Sequence, residues 1–198
     1  MRRRYDVAII GAGPAGCVSA LAFARQGKSV VMLEANPRSS GRLAGEWLHP
    51  PALKILADLG VDSSPETAYP SGRGFAVFPD DGSRTVVLPY RPETYGVSIE
   101  HHRLVDNLRD ACSDNDAIEI YNHARVTRID GQNLAITQKN QAPRSMHAKL
   151  IVGASGRASV AHQALGLDRP VTSYSRMAGL ILQDLDLPFE GYGRVMLG

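Results

Sequence analysis

The sequence predicts an α/β fold: three layers around a mainly parallel sheet, with a β-rich insertion. Three observations predict it. Tyr5 to Ile10 is a short apolar, β-branched run that ends directly in the glycine-rich turn GAGPAG, and the residues beyond the turn have helical character. A second strand, Ser29 to Glu34 (SVVMLE), follows at the distance of a strand–helix–strand unit. Far down the chain, Lys149 to Ala154 (KLIVGA) is a continuous apolar run bounded by glycine, which suits a buried strand of a parallel sheet.

Taken in order, the first strand and its turn carry the clearest chemistry. Gly11 lets the strand turn sharply, Gly13 leaves out a side chain where a pyrophosphate has to approach the backbone, and Gly16 lets the helix pack closely on the strand. With Ala12, Pro14 and Ala15 these residues form a loop that opens onto a helix N-terminus, where unpaired N–H groups and the positive dipole end favour an anion. The helix is expected from about Pro14 to Gln26, with Ala15, Val18, Leu21 and Ala22 on one face and Gly27 closing it. Glu34 lies eighteen residues past Gly16 at the end of the second strand, where a carboxylate can accept from both hydroxyls of an adenosine ribose. The expectation is a Rossmann-like dinucleotide site.

The next segment, ANPRSSGRLAGEW, is a polar loop carrying the cation Arg42. Pro50 and Pro51 suit a helix start, and Leu53, Leu56 and Leu59 give that helix an apolar face up to Gly60. Phe75–Phe78 and Thr85–Leu88 are β-prone runs separated by a turn containing Asp81-Gly82, a hairpin signal; a further strand is expected at Gly96–Ile99. A helix from about His102 to Ala111 follows, its core face marked by Leu104, Val105, Leu108 and Ala111. Ala117–Tyr121, Ala124–Ile129 and Asn133–Gln138 read as strands, the last two a hairpin around Asp130-Gly131. After KLIVGA a short helix is expected to end at Gly166, and from Val171 an alternating segment, RMAGLILQDLDL, has β character.

The charge balance, 22 basic against 20 acidic residues, gives no electrostatic footprint for nucleic acid. Arg2 to Arg4 read as a solvated basic end, with contact to an anionic membrane surface as the alternative. Cys17 and Cys112 are far apart and show no metal-ligand spacing, so no metal is expected; the reading is a reducing, cytoplasmic compartment with both thiols as small core residues. No apolar run approaches the length of a membrane span, so stable membrane insertion is not expected.

Three motifs now stand in order: GAGPAG at Gly11–Gly16, SSGRLAG after Glu34, and VGASGRAS at Val152–Ser159. Together they resemble the FAD-binding half of flavoprotein monooxygenases of the para-hydroxybenzoate hydroxylase type and their relatives, the flavin-dependent halogenases and geranylgeranyl reductases. The resemblance implies that Gly11, Ala12, Gly13, Pro14, Ala15, Gly16 and Glu34 hold the ADP half of FAD and that Arg42 contacts the cofactor near its phosphates or flavin. It also implies that the backbone at Val126 lies by the adenine and that Ser155 and Gly156 belong to the cofactor region. Two positions depart from the pattern: His101 stands where the family carries an arginine before the helix, and Ser155 where it carries an aspartate.

The resemblance implies a FAD-dependent oxidoreductase, a monooxygenase that hydroxylates or epoxidises a small organic substrate, with NAD(P)H as the candidate reductant. The alternatives are a geranylgeranyl-reductase-like dehydrogenase and a FAD- or nucleotide-binding fragment without catalysis, while a plain NAD-binding dehydrogenase fits the first 34 residues equally well. No residue is nominated as acid, base or nucleophile; His49 is the one polar candidate near the flavin by family position. Residues 1–168 are expected to form the FAD-binding domain, with the β insertion at about 70–99, and 169–198 the beginning of an incomplete substrate-domain sheet. A missing C-terminal half, or self-association through an exposed strand edge at Met177–Leu187, is the expected consequence.

Overall fold

The computed structural model describes residues 4–38, 45–61, 71–138, 141–156, 160–167 and 186–197. The apolar run before the glycine turn forms β1 (Arg4–Ile10), and the residues after the turn form α1 (Pro14–Arg25). Next come β2 (Val30–Glu34), β3 (Gly45–Leu48) and α2 (Pro50–Asp58). The insertion supplies β4 (Ser71–Gly72), β5 (Gly74–Phe78), β6 (Val86–Pro89) and β7 (Gly96–Glu100). The rest is α3 (His101–Ser113), β8 (Ile118–Asn122), β9 (Ala124–Asp130), β10 (Asn133–Gln138), β11 (Arg144–Gly153), α4 (Val160–Ala164) and β12 (Gly193–Met196).

The chain divides into two compact units, residues 1–40 with 104–176, and residues 41–103 with 177–198. The first unit holds a six-stranded sheet of order β8-β2-β1-β11-β10-β9, in which β8, β2, β1 and β11 run parallel. Strands β10 and β9 continue it antiparallel, joined through Gly131 at φ 55°. The sheet is therefore mainly parallel, as the sequence predicts. Helix α1 lies along β1, β2 and β8, and α4 along β9 and β11. On one face Ala8, Ile10, Val31 and Leu33 bury against Ala124, Val126, Leu134, Ile136 and Met146. Full burial of side chains such as Leu33, Leu134 and Ile136 stabilises the unit by about 1.5–3 kcal/mol apiece.

The second unit holds two three-stranded sheets, β12-β5-β6 and β3-β7-β4. The expected hairpin at Asp81-Gly82 is present as antiparallel β5 and β6; Ser83 N–H donates to Asp81 Oδ1 at 2.8 Å, and Gly82 takes φ 70°. Strand β12 runs parallel to β5. The alternating stretch expected to form a strand from Val171 onward falls almost wholly within residues 168–185, which lie outside the described residues.

Several local expectations are corrected. The buried residues of α1 are Gly16, Cys17, Ala20 and Leu21, which share one face at i, i+1, i+4, i+5 spacing, while Ala15 falls outside that face and is exposed. On α3 the inward residue of the last turn is Cys112 rather than Ala111. The run KLIVGA is a parallel strand, but β11 begins earlier, at Arg144, and Leu150 is 46% exposed. Its buried side chains are Met146 and Ala148, in the half that meets both β1 and the β9–β10 hairpin. Trp47 lies on a strand within the stretch read as loop, because Gly45–Leu48 pairs antiparallel with β7 fifty residues on.

Candidate dinucleotide site

The site in the first unit is built where three parallel strands end together. Register pairs Ile10 with Leu33 on one side and with Gly153 on the other, so the carboxyl ends of β2, β1 and β11 lie side by side. Because β2 and β11 flank β1 from opposite sides, this is the topological switch point at which open α/β sheets bind ligands. Gly11 N–H donates to the Leu33 carbonyl at 2.9 Å and Ala154 N–H to the Ile10 carbonyl at 2.8 Å, which seals the loop bases to one another.

Each glycine of the loop has a distinct physical reason. Gly11 has φ 107°, and a Cβ there would fall 2.6 Å from the Ala154 carbonyl oxygen and 2.9 Å from Ser155 Cα. A Cβ at Gly16 would sit 2.0 Å from the Gly11 carbonyl oxygen. At Gly13 a Cβ would meet nothing within 4 Å among the described residues. Two glycines are thus demanded by protein packing, and the third faces open space in front of α1. Gly13 is the N-cap of α1, Pro14 opens the helix, and no side chain among the described residues caps it. The first-turn N–H groups of a helix have no intrahelical partner, so this end offers donors to an anion. Ala15 is exposed beside it.

Glu34 ends β2 with both carboxylate oxygens engaged: Oε2 accepts from Ala12 N–H at 2.6 Å and Oε1 from Asn36 N–H at 2.7 Å. A carboxylate offers about four acceptor sites, so two remain for ligand hydroxyls. A residue that sequence reading missed completes the cluster. Arg109, on α3, donates from Nε to the Ala12 carbonyl at 2.8 Å and from Nη1 to the Pro37 carbonyl, and its Nη2 lies 3.9 Å from Glu34 Oε2. The signal was faint: Arg109 follows Leu108 and lies four residues after Val105, on the border of the apolar stripe of α3.

The structure therefore brings together Gly11, Ala12, Gly13, Pro14, Ala15, Gly16 and Glu34, with Ser155 against Gly11 and Gly156 next in the chain at φ 80°. Val126 is only 7% exposed and sits in the core cluster, so its side chain is committed to packing. His101 is the first residue of α3 and belongs to the second unit; its neighbours His102 and Arg103 both pair with Glu100. Arg42 lies outside the described residues.

In the second unit His49 belongs to an aromatic cluster. Trp47 Nε1 donates to Tyr90 Oη at 2.7 Å, Tyr90 Oη lies 2.7 Å from His49 Nδ1, and the Phe75 ring packs against all three. The two cysteines are buried free thiols: Cys17 Sγ reaches the Ala12 carbonyl at 3.5 Å, and Cys112 Sγ the Cys17 carbonyl at 3.6 Å. Contact with the Cys17 thiol, reinforced by burial, pushes the Cys112 thiol up, away from reactivity. Among the described residues no group of three or more potential ligands could hold a metal ion.

The glycine loop, its uncapped helix and the acid at the end of the neighbouring strand fit a dinucleotide, and comparison with known proteins specifies which. The sequence pattern of the family described as "FAD binding domain" matches residues 4–196. The chain belongs to that family. Its relatives in sequence include squalene epoxidase of Schizosaccharomyces pombe, 29% identical over 97% of this chain and 44% of that protein. Squalene epoxidase of Aspergillus fumigatus is 33% identical over 97% of this chain and 42% of that protein. The chain thus spans less than half the length of these curated relatives. A flavoprotein/dehydrogenase from Cytophaga hutchinsonii superposes with a TM-score of 0.72 at 22% identity, over 85% of this chain and 43% of the other, a match of fold. Among the described residues no helix is long and apolar enough to cross a membrane.

Proposed function

We propose that this FAD binding domain serves a flavin-dependent monooxygenase acting on a small organic substrate, and that its first unit holds the ADP half of the cofactor. FAD, when bound, supplies the redox and oxygen-activating chemistry. The chain's own residues bind and orient it: the uncapped N-terminus of α1 receives the pyrophosphate at Gly13, and the free acceptor sites of Glu34 take the adenosine ribose hydroxyls. Arg42, His101, the Val126 backbone, Ser155 and Gly156 are the further cofactor contacts in this reading, with NAD(P)H as the reductant and the cytoplasm as the compartment.

The observation that carries the reading is the contrast among the three loop glycines. Gly11 and Gly16 are packed against protein, whereas Gly13 opens onto space beside a helix terminus that no described side chain caps. The names of the sequence relatives support an apolar alkene as the substrate and epoxidation as the reaction. Since the chain spans less than half the length of these relatives, a C-terminal half or a self-associated copy completes the substrate site in this reading.

Absorbance and fluorescence titration of the purified chain with FAD test the reading. Saturable flavin binding that is lost in both Gly13→Val and Glu34→Ala variants is the expected result. Binding of NAD in place of FAD, or FAD binding indifferent to both substitutions, would sink it.

A further inference from the structure

Arg109 is remote in sequence from every motif, yet its guanidinium reaches the two segments on either side of the acid read as the ribose acceptor, and the acid itself. It meets the glycine loop at the Ala12 carbonyl, the segment after β2 at the Pro37 carbonyl, and the carboxylate of Glu34 itself. The Arg109 and Glu34 side chains are 19% and 14% exposed, so both are largely shielded from water. A guanidinium is a planar fork whose five N–H donors point in fixed directions, so its hydrogen bonds to the Ala12 and Pro37 carbonyls fix the two segments relative to one another, with the charge of Nη2 facing Glu34 Oε2 at 3.9 Å. Ala12 is held twice over: its N–H donates to Glu34 Oε2 and its carbonyl accepts from Arg109 Nε. The Glu34 carboxylate is thereby held between a backbone N–H and a cation that share the same loop residue.

We propose that Arg109 is a positioning residue for Glu34, and that it sets how sharply the chain discriminates for the hydroxyls of the cofactor's adenosine ribose. The proposal rests on the reading of Glu34 as the ribose acceptor. Arg109 makes no contact with the ribose in this scheme; it fixes the rotamer of Glu34 and the height of the Ala12 loop, so that the two remaining acceptor sites face one direction. Without it, Glu34 keeps its two backbone partners but the loop and the Pro37 segment lose their common anchor. The carboxylate then has more than one orientation to offer, and affinity for a diol falls more than affinity for the rest of the cofactor.

The test compares FAD with a FAD analogue lacking the 2′-hydroxyl of its adenosine ribose, by flavin fluorescence titration, in wild type and the variants Glu34→Ala, Arg109→Ala and Arg109→Lys. Wild type is expected to prefer FAD by about tenfold, the worth of one charge-assisted hydrogen bond. Arg109→Ala is expected to reduce that preference to about twofold, and Arg109→Lys to leave it nearly as low, since one ammonium point cannot hold two backbone carbonyls apart and face the carboxylate as well. A purely structural role would weaken both ligands equally and leave the ratio at its wild-type value; that result overturns the proposal. If Glu34→Ala retains the wild-type preference, the ribose reading of Glu34 fails, and this proposal with it. If Glu34→Ala abolishes the preference while both Arg109 variants retain it, only the role of Arg109 is lost. Amide hydrogen exchange without ligand gives a second reading: Arg109→Ala is expected to lose protection at Ala12 and Asn36, and unchanged protection there would also overturn the proposal.

Discussion

Gly16 and Gly13 stand three residues apart in the same motif, and the structure separates what each is for. A methyl at Gly16 would lie 2.0 Å from the Gly11 carbonyl, a backbone atom that cannot rotate aside. Gly16→Ala is therefore expected to destabilise the first unit by about 1–3 kcal/mol through overpacking, read as a lowered denaturation midpoint. Gly13→Val should leave that midpoint almost unchanged, since its methyls enter open space. Asp6 carries a pH dependence. The Lys149 ammonium at 2.7 Å, helped by the Ser29 N–H and hydroxyl, holds its carboxyl well below the usual carboxylate range. A carboxyl depressed in the folded state contributes stability above its unfolded value of about 3.9, and that contribution is lost as pH falls further toward the folded value. Wild type and Asp6→Asn are accordingly expected to differ in urea midpoint at pH 7 and to converge progressively below about pH 4. At this scale the glycines and Glu34 were legible because their chemistry is local in sequence. Arg109 was not, because its partner Ala12 is 97 residues away and no spacing rule links the two.

Among the elements, legibility followed how far away the pairing partner lies. The β9–β10 and β5–β6 hairpins were readable from Asp130-Gly131 and Asp81-Gly82, since a tight turn fixes its own strands. Strand β3 has only four residues and no turn signal of its own; what makes it a strand is β7, and behind it the Trp47 side chain. The indole occupies ground cleared by glycine: a Cβ at Gly72 would fall 2.0 Å from Trp47 Cη2, and one at Gly96 2.8 Å from Nε1. Tyr90 links the indole N–H to His49, so Tyr90→Phe removes the partner of both. A loss of about 1–3 kcal/mol is expected for this half-buried pair, measurable as a change in the thermal midpoint and in Trp47 fluorescence. Trp47→Phe combined with Tyr90→Phe should cost less than the sum of the single changes, because the donor and acceptor leave together.

For the molecule as a whole, the sequence disclosed the mainly parallel sheet but not the division into two units. That division depends on residues 177–198 joining residues 41–103, and its visible sign is β12 lying along β5. The resulting sheet exposes Val86, Leu88 and Met196 at 50%, 53% and 75%, on β6 and β12, its edge strands among the described residues. Edge strands with exposed apolar side chains invite further strands or other copies. Sedimentation of the isolated chain is expected to show concentration-dependent association, reduced in a Leu88→Lys, Met196→Lys variant; a strictly monomeric wild type would refute this. The switch point holds a consequence for biosynthesis. Strand β1 is made well before β11, with every glycine of its loop, yet the atoms that brace Gly11 belong to Ala154 and Ser155. The glycine loop is thus finished long after it is made: a nascent chain halted before β11 carries the whole glycine motif and still lacks the backbone that packs against Gly11.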